Sequence, residues 1–354
     1  MNITANIKRH AISCALITAA VISSCSQWRV SSLGGKELFF IKNGTEAGDI
    51  AIHFDEFALT DLSFRAGIFN GTLFTVDNVL KRIQAIDSDG SPELVIGSPN
   101  NISSKKITAV PFKFGVIGSF TVDRSGNIYV QNRLSEDMGD GDFSPSYVLV
   151  FDKNGKLQYA IGQRGSTDTP FYYIDSLFVD ERERLFVVSR SFDTWNVYRF
   201  DNRKPDFSLN LGSLSFKEKD GDDTFDGQIE NVKLYENGDM MLISVAYYHN
   251  KRLKYHKVYD YSINKKKLER EIMNIPDPKN VLFDIVDDKH LYFWNTEKDD
   301  IRLMICSMEG SIINNIQVTF DSSKYLYSKL QIDSSGRLYS YHVSKKGINI
   351  LRWE

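Results

Sequence analysis

Carboxylates and aromatic rings are the clustered residues in this chain that could do chemistry, and the familiar catalytic constellations are absent. There is no Gly-x-Ser-x-Gly elbow, no phosphate-binding or dinucleotide glycine loop and no His-Glu-x-x-His helix. Ser103-Ser-Lys-Lys106 fits Ser-x-x-Lys without that pattern's companion motifs. Two runs, Glu136-Asp-Met-Gly-Asp-Gly-Asp142 and Asp220-Gly-Asp-Asp-Thr-Phe-Asp226, set carboxylates among glycines as oxygen-liganded Ca²⁺ would require. Neither has the glycine and glutamate positions of an EF-hand loop, so both read as solvated loops. Aromatic residues cluster at Phe171-Tyr172-Tyr173, Trp195 and Tyr247-Tyr248-His249. At a rim, Tyr172, Tyr173, Tyr247 and Tyr248 would anchor a protein or glycan partner; packed inside, the same rings would be core. His10, His53, His249, His256, His290 and His342 stand singly. The last three fall in or beside strands, where lone histidines are more often structural than metal ligands, though their convergence at one place is left open.

The elements that position these residues repeat. An apolar run, a turn and a short run with an apolar pair recur at Gly71-Thr-Leu-Phe, Gly126-Asn-Ile-Tyr, Glu183-Arg-Leu-Phe, Gly238-Asp-Met-Met, Lys289-His-Leu-Tyr and Gly336-Arg-Leu-Tyr, at intervals of 55, 57, 55, 51 and 47 residues. That period is one four-stranded blade, so the chain reads as an all-β, six-bladed β-propeller of antiparallel blades. Asp-x-x-Gly turns such as Asp123-Arg-Ser-Gly126 and Asp152-Lys-Asn-Gly155 supply the hairpins. Gly97, Gly162 and Gly212 close outer strands and turn the chain toward the next blade. The sixth repeat lacks its outer strand, and Leu38 to Gly44 has the right pattern to supply it and close the ring. Strand order also ranks the connections. Those between strands one and two and between three and four are tight, whereas the opposite face collects the long segments 98–114, 134–146, 165–173, 213–228 and 247–254, where binding would reside.

Residues 1–24 differ in kind. Lys8 and Arg9 precede an apolar stretch from Ala11 to Ile22, and Ile22-Ser-Ser-Cys25 resembles a relaxed bacterial lipobox. On that likeness residues 1–24 are a signal peptide, Cys25 is the lipidated first mature residue, residues 25–37 are a tether and residues 38–354 the propeller. Ser26 to Gly35 would reach at most about 35 Å, which keeps the protein at its membrane, inner or outer. Cys306 then remains alone, in the apolar strand Ile301-Arg-Leu-Met-Ile-Cys306, and reads as a small core residue. The formal charge is -3, and 41 basic against 46 acidic residues remain after residue 24. That balance argues against a nucleic-acid partner.

Val122-Asp-Arg-Ser-Gly-Asn-Ile-Tyr-Val130, Phe151-Asp-Lys-Asn-Gly155 and Ile332-Asp-Ser-Ser-Gly-Arg-Leu-Tyr339 resemble NHL repeats, with Glu183 and Lys289 departing from the turn glycine. With the lipobox in front, the chain is similar to spirochaete-type lipoproteins with NHL-like propellers. That resemblance implies a fold and an anchor, without a chemistry. Two functions follow. One is a membrane-anchored scaffold whose long-connection face binds a protein or envelope component, with no cofactor. The other rests on likeness in architecture to Ca²⁺-dependent six-bladed lactonases and esterases, which hold their metal on Glu, Asn and Asp in the central channel; here Asn132, Asn196 and Asn295, just past strand two of their blades, would be the ligands.

Overall fold

The computed structural model describes residues 32–354, apart from 53–63, 99–105, 135–145, 163–170, 172, 192–193, 298–299, 320–323 and 334–335. β-Branched and aromatic residues alternating between turns form six antiparallel sheets arranged in a ring, the expected six-bladed propeller. Their inner strands are Phe64–Phe69, Val116–Val122, Tyr173–Val179, Asp223–Tyr235, Val281–Val286 and Tyr327–Ile332 for blades one to six. Because neighbouring side chains on a strand point to opposite faces, each blade presents one apolar set to the blade before it and another to the blade after. Among the described residues these sets merge into six clusters, one per seam between blades. The seam between blades six and one, for example, packs Ile41, Tyr341, Val343, Ile348 and Ile350 against Phe64, Ala66, Leu73 and Ile86.

The aspartate turns work as their sequence implies. Asp123 accepts from the Asn127 backbone N–H (2.8 Å) and from Tyr129 Oη (3.2 Å), while Gly126 at φ 85° donates its N–H to the Asp123 carbonyl. Where glycine is missing, two solutions appear. Glu183 itself takes φ 58°, its turn clamped by Asp180, which accepts from the Arg182 and Arg184 backbone N–H groups and from Arg184 Nε. In blade five the positive φ moves forward to Asp287 and Asp288, at 50° and 54°, and Lys289 is relieved of it. Of the three glycines ending outer strands, Gly97 and Gly162 have positive φ, whereas Gly212 sits in a 3-10 turn over Leu211–Ser213. Gly97 is also required by close approach, since a Cβ there would stand 2.3 Å from the Lys81 carbonyl oxygen.

Ring closure comes from the N-terminal side, over Gly35–Lys42 rather than from Leu38. This strand pairs antiparallel with Gly347–Trp353, from Gly35 opposite Trp353 to Lys42 opposite Gly347. Ser32–Leu33 precedes it as a parallel strand on Ile312–Thr319 of blade five. The propeller therefore includes part of the stretch read as tether, because Ser32 to Glu37 finds backbone partners on two blades.

After the closing strand the chain passes to blade one and is pinned by Arg82, which is 1 % exposed. Its guanidinium donates to the carbonyls of Thr45 (3.1 Å), Glu46 (2.8 Å) and Asp49 (3.0 Å). Opposite it in register is the buried Asp77, which accepts from the Ala51, Val79 and Leu80 N–H groups.

Candidate functional site

Blade four departs from the others at the face of the long connections. Its inner, second and third strands run for 13, 10 and 11 residues, whereas the corresponding strands of the other blades run for 5 to 8. The segments 213–228 and 247–254, expected as long loops, are mostly strand. Lys217–Asp220 pairs with Asp223 to Asp226 and adds a fifth strand at the inner edge, so the second acidic run is a hairpin around Gly221-Asp222. Asn250 and Lys251, at φ 50° and 61°, make the tight turn between Tyr247 and Lys254. The first acidic run lies outside the described residues.

The hairpin folds down over the face of blade four that looks toward blade three. Gly227 permits this, since a Cβ there would lie 2.6 Å from Phe216 Cβ and 2.8 Å from Val245 Cγ1. Glu218 braces it: Oε2 accepts from Tyr255 Oη (2.9 Å), and Oε1 accepts from Tyr259 Oη (3.3 Å) and meets Lys257 Nζ at 2.7 Å. Lys257 also bonds Glu271 at 2.9 Å. Burial alone would raise the Glu218 carboxyl, but the lysine and the two phenols outweigh it and hold it below the ordinary value. Tyr247 Oη meets Tyr259 Oη at 2.5 Å, and burial pushes the Tyr247 phenol up to about 12. Burial likewise raises Tyr255 and Tyr259. These phenols stay protonated at neutral pH and the carboxylate is already occupied, so the network holds shape and offers no free base. Outward from it, half-buried Phe225 lies between His249 and Tyr255, at ring-centroid distances of 5.4 and 5.5 Å.

The tyrosines expected to contact a partner divide. Tyr173 is 49 % exposed at the start of the inner strand of blade three. Tyr248 is half-buried on the blade-four projection, and Tyr172 lies outside the described residues. Tyr247 is a correction. At 1 % exposed it stacks on Tyr255 as core and has no surface for a partner. Counting by twos from Ile243 and Val245, both in the same cluster, already puts Tyr247 on the inward face.

The three asparagines are a second correction, for side chains in the middle strands of a blade point sideways into the seams. Asn132 is buried within blade two, accepting from the Gly115 N–H (2.9 Å) and donating to Tyr147 Oη (2.6 Å). Asn196 lies on strand three of its blade, on the face of Tyr198 toward blade two. Asn295 follows Phe293 on the face toward blade four, with a buried Oδ1. Three different seams receive them, and they do not share a site. The strand histidines also stay apart. His256 Nε2 meets Glu230 Oε2 at 3.1 Å, His290 bonds Asp287 at an exposed turn, and His342 is buried in blade six. Cys306 is a buried core thiol, pushed by burial up to about 11.

Two features carried no signal in the sequence. Around the axis, Asp175 of blade three is raised by burial while Lys233 of blade four and Arg65 of blade one act on it; charges from separated blades meet there because inner strands converge. Lys233 also pairs with Asp284 of blade five at 3.5 Å. The second is a cleft of roughly 390 Å³ between blades one and two, at the face of the tight turns. Phe74, Leu94 and Ile128 lie beneath Asn70, Arg124 and Lys153. Loop length could not reveal it, because it is a gap between blades.

His342 couples the ring to pH. Its Nδ1 meets Ser328 Oγ and its Nε2 meets Ser340 Oγ, both at 2.7 Å, while Trp353 Nε1 donates to Ser340 at 2.8 Å. A neutral imidazole protonated on Nδ1 satisfies this chain, with Ser340 donating to Nε2. Burial lowers its pKa from 6.5 to about 4, so between those values the unfolded chain binds the extra proton. The stability His342 contributes is therefore present above pH 6.5 and lost as pH falls toward 4, an effect of roughly 3 kcal/mol. Thermal unfolding across that range should show the loss, and His342→Gln should flatten it; an unchanged slope in the variant would refute the assignment.

No protein-family model matches the chain, and no curated protein does. Among solved structures it is similar to a protein of unknown function from Bacteroides caccae, at 13% identity over 72% of this chain and 80% of that one, with a TM-score of 0.41. It is also similar to the polysaccharide lyase Uly1, at 11% identity over 92% and 99% with a TM-score of 0.44, and to the Dos1 propeller, at 9% over 79% and 67% with a TM-score of 0.40. Likeness this distant brings no substrate or partner to this chain.

Proposed function

We propose that this chain is an exported lipoprotein, anchored through Cys25, that serves as a scaffold and takes a protein or envelope component on the long-connection face of blade four. The observation that carries the binding reading is the blade-four projection itself. Among the described residues it alone lengthens three adjacent strands, adds an inner strand and braces the whole through Glu218, Lys257 and three tyrosines. A rigid projection bearing Phe225 and Tyr248, on the same face as exposed Tyr173, supplies preorganised aromatic anchors at low entropic cost. The anchor reading rests on the lipobox likeness of Ile22-Ser-Ser-Cys25, with Ser32, seven residues on from Cys25, paired to the outer strand of blade five.

A photo-crosslinking residue placed at Tyr173 or Tyr248 in cells should yield an adduct of discrete mass, while placement at Asp333, in a tight turn, should yield none. Tyr173→Ala with Tyr248→Ala should then weaken binding of the trapped partner by about thirtyfold without moving the melting temperature. Adducts arising equally from the tight-turn face would overturn the reading. The anchor is checked separately: metabolic labelling with a fatty acid should mark the wild type and not Cys25→Ala.

A further inference from the structure

We propose that the outer corner of blade six, at the long-connection face, docks on an anionic lipid surface. Three segments meet there. The second-to-third-strand turn presents Lys345 and Lys346, both exposed. Asn43 ties it to the closing strand, donating its backbone N–H to the Lys346 carbonyl (2.8 Å) and its amide to the Lys345 carbonyl (3.3 Å). Exposed Lys42 precedes Asn43 and stands opposite Gly347 in register. Phe40 is 45 % exposed, with its ring over Gly347, where a Cβ would stand 2.7 Å from Phe40 Cζ. On the other side Leu326, 50 % exposed, donates its N–H to the Val343 carbonyl (2.7 Å), with exposed Lys324 two residues before it.

Lys42, Lys345 and Lys346 thus stand beside two large apolar side chains that project into solvent. Glu46 and Asp49 follow on the segment turning toward blade one, where their charges act on Arg82. A corner of this composition suits a bilayer better than a protein. It protrudes, and its charges sit on flexible stems that can each find a phosphate while the two apolar tips enter the boundary between headgroups and acyl chains. Its position fits as well. The closing strand that carries Phe40 and Lys42 is entered from Ser32 on the neighbouring blade, and seven residues from Cys25 span at most about 25 Å, so the tether reading, on which this inference builds, keeps the propeller beside the membrane. Docking here fixes the orientation of the tethered propeller.

The test uses the mature protein carrying Leu326→Cys labelled with an environment-sensitive fluorophore, the buried Cys306 being protected. With phosphatidylglycerol-rich vesicles the probe should blue-shift and be quenched by brominated acyl chains. Phosphatidylcholine vesicles should give neither effect. Lys345→Glu with Lys346→Glu, on an exposed turn, should weaken the response by more than tenfold, at about fivefold for each lysine removed, and raised salt should do the same. A probe that stays wet on anionic vesicles, or a response unmoved by the charge reversal, overturns the proposal, as does shielding that appears only when an envelope protein is added. Fatty-acid labelling at Cys25 is read independently. Label with a wet probe sinks the docking and leaves the tether, whereas an inserting probe without label sinks the tether and leaves the docking.

Discussion

Deleting Gly35–Lys42 should abolish the folded ring. The strand is the outer member of blade six, and its loss strands the backbone groups of Gly347–Trp353 and opens the seam where Ile41 packs with Phe64, Tyr341 and Ile350. An unpaired edge beside exposed apolar surface recruits further copies. The lost pairing, seam packing and docking of residues 43–52 together rival the whole stability of a typical domain, about 5–15 kcal/mol. Size-exclusion chromatography should show aggregate, and thermal unfolding should lose its cooperative transition. A monomeric deletion variant with an unchanged melting temperature would show that closure does not depend on this strand.

Arg82→Ala should have the next largest effect, destabilising by about 3–5 kcal/mol and lowering the melting temperature by roughly 10 °C. The guanidinium holds three backbone carbonyls of the segment leading from the closing strand into blade one, and without it Asp77 is a buried carboxylate lacking its cation. Burial already raises that carboxyl, with its hydrogen bonds and Arg82 opposing. Asp77→Asn should accordingly cost less in the Arg82→Ala background than in the wild type, a coupling that a thermal double-mutant cycle measures directly. Equal costs in both backgrounds would mean that the two side chains do not act as a pair.

Architecture was legible because it is written in repetition. Six hairpins at near-constant spacing outweigh any one irregular turn, so Glu183 and the Asp287-Asp288 shift did not obscure the count. The blade-four projection was hidden for a physical reason. Lys217 to Asp226 is strand exposed on most of its surface, with acids and glycine in place of β-formers, so no apolar alternation marks it. Its pairing is set by the partner strand and by Phe216 and Glu218 reaching back to the sheet. The misreading of Tyr247 and of the asparagines has a common source. Both treated the ends of strands as open surface, although alternate residues there still point into the seams. Parity along the strand separates Tyr247 from Tyr248, and blade geometry explains why amides from three blades do not converge. The axial charges and the cleft between blades one and two arise only when distant repeats are brought side by side.

The pairing of Gly34 with Glu354, in which each backbone N–H donates to the other's carbonyl at 3.0 and 3.1 Å, lies between the two N-terminal strands. It would give an N-terminal attachment, as proposed above, a mechanical order. Tension arriving from residue 31 would first meet the two-residue parallel contact on blade five, then the Gly34–Glu354 pair, and only then the end of the closing strand at Gly35. Such a load would be spread over two neighbouring blades and released stepwise, with the short outer contact yielding as a fuse before the clasp that holds the ring.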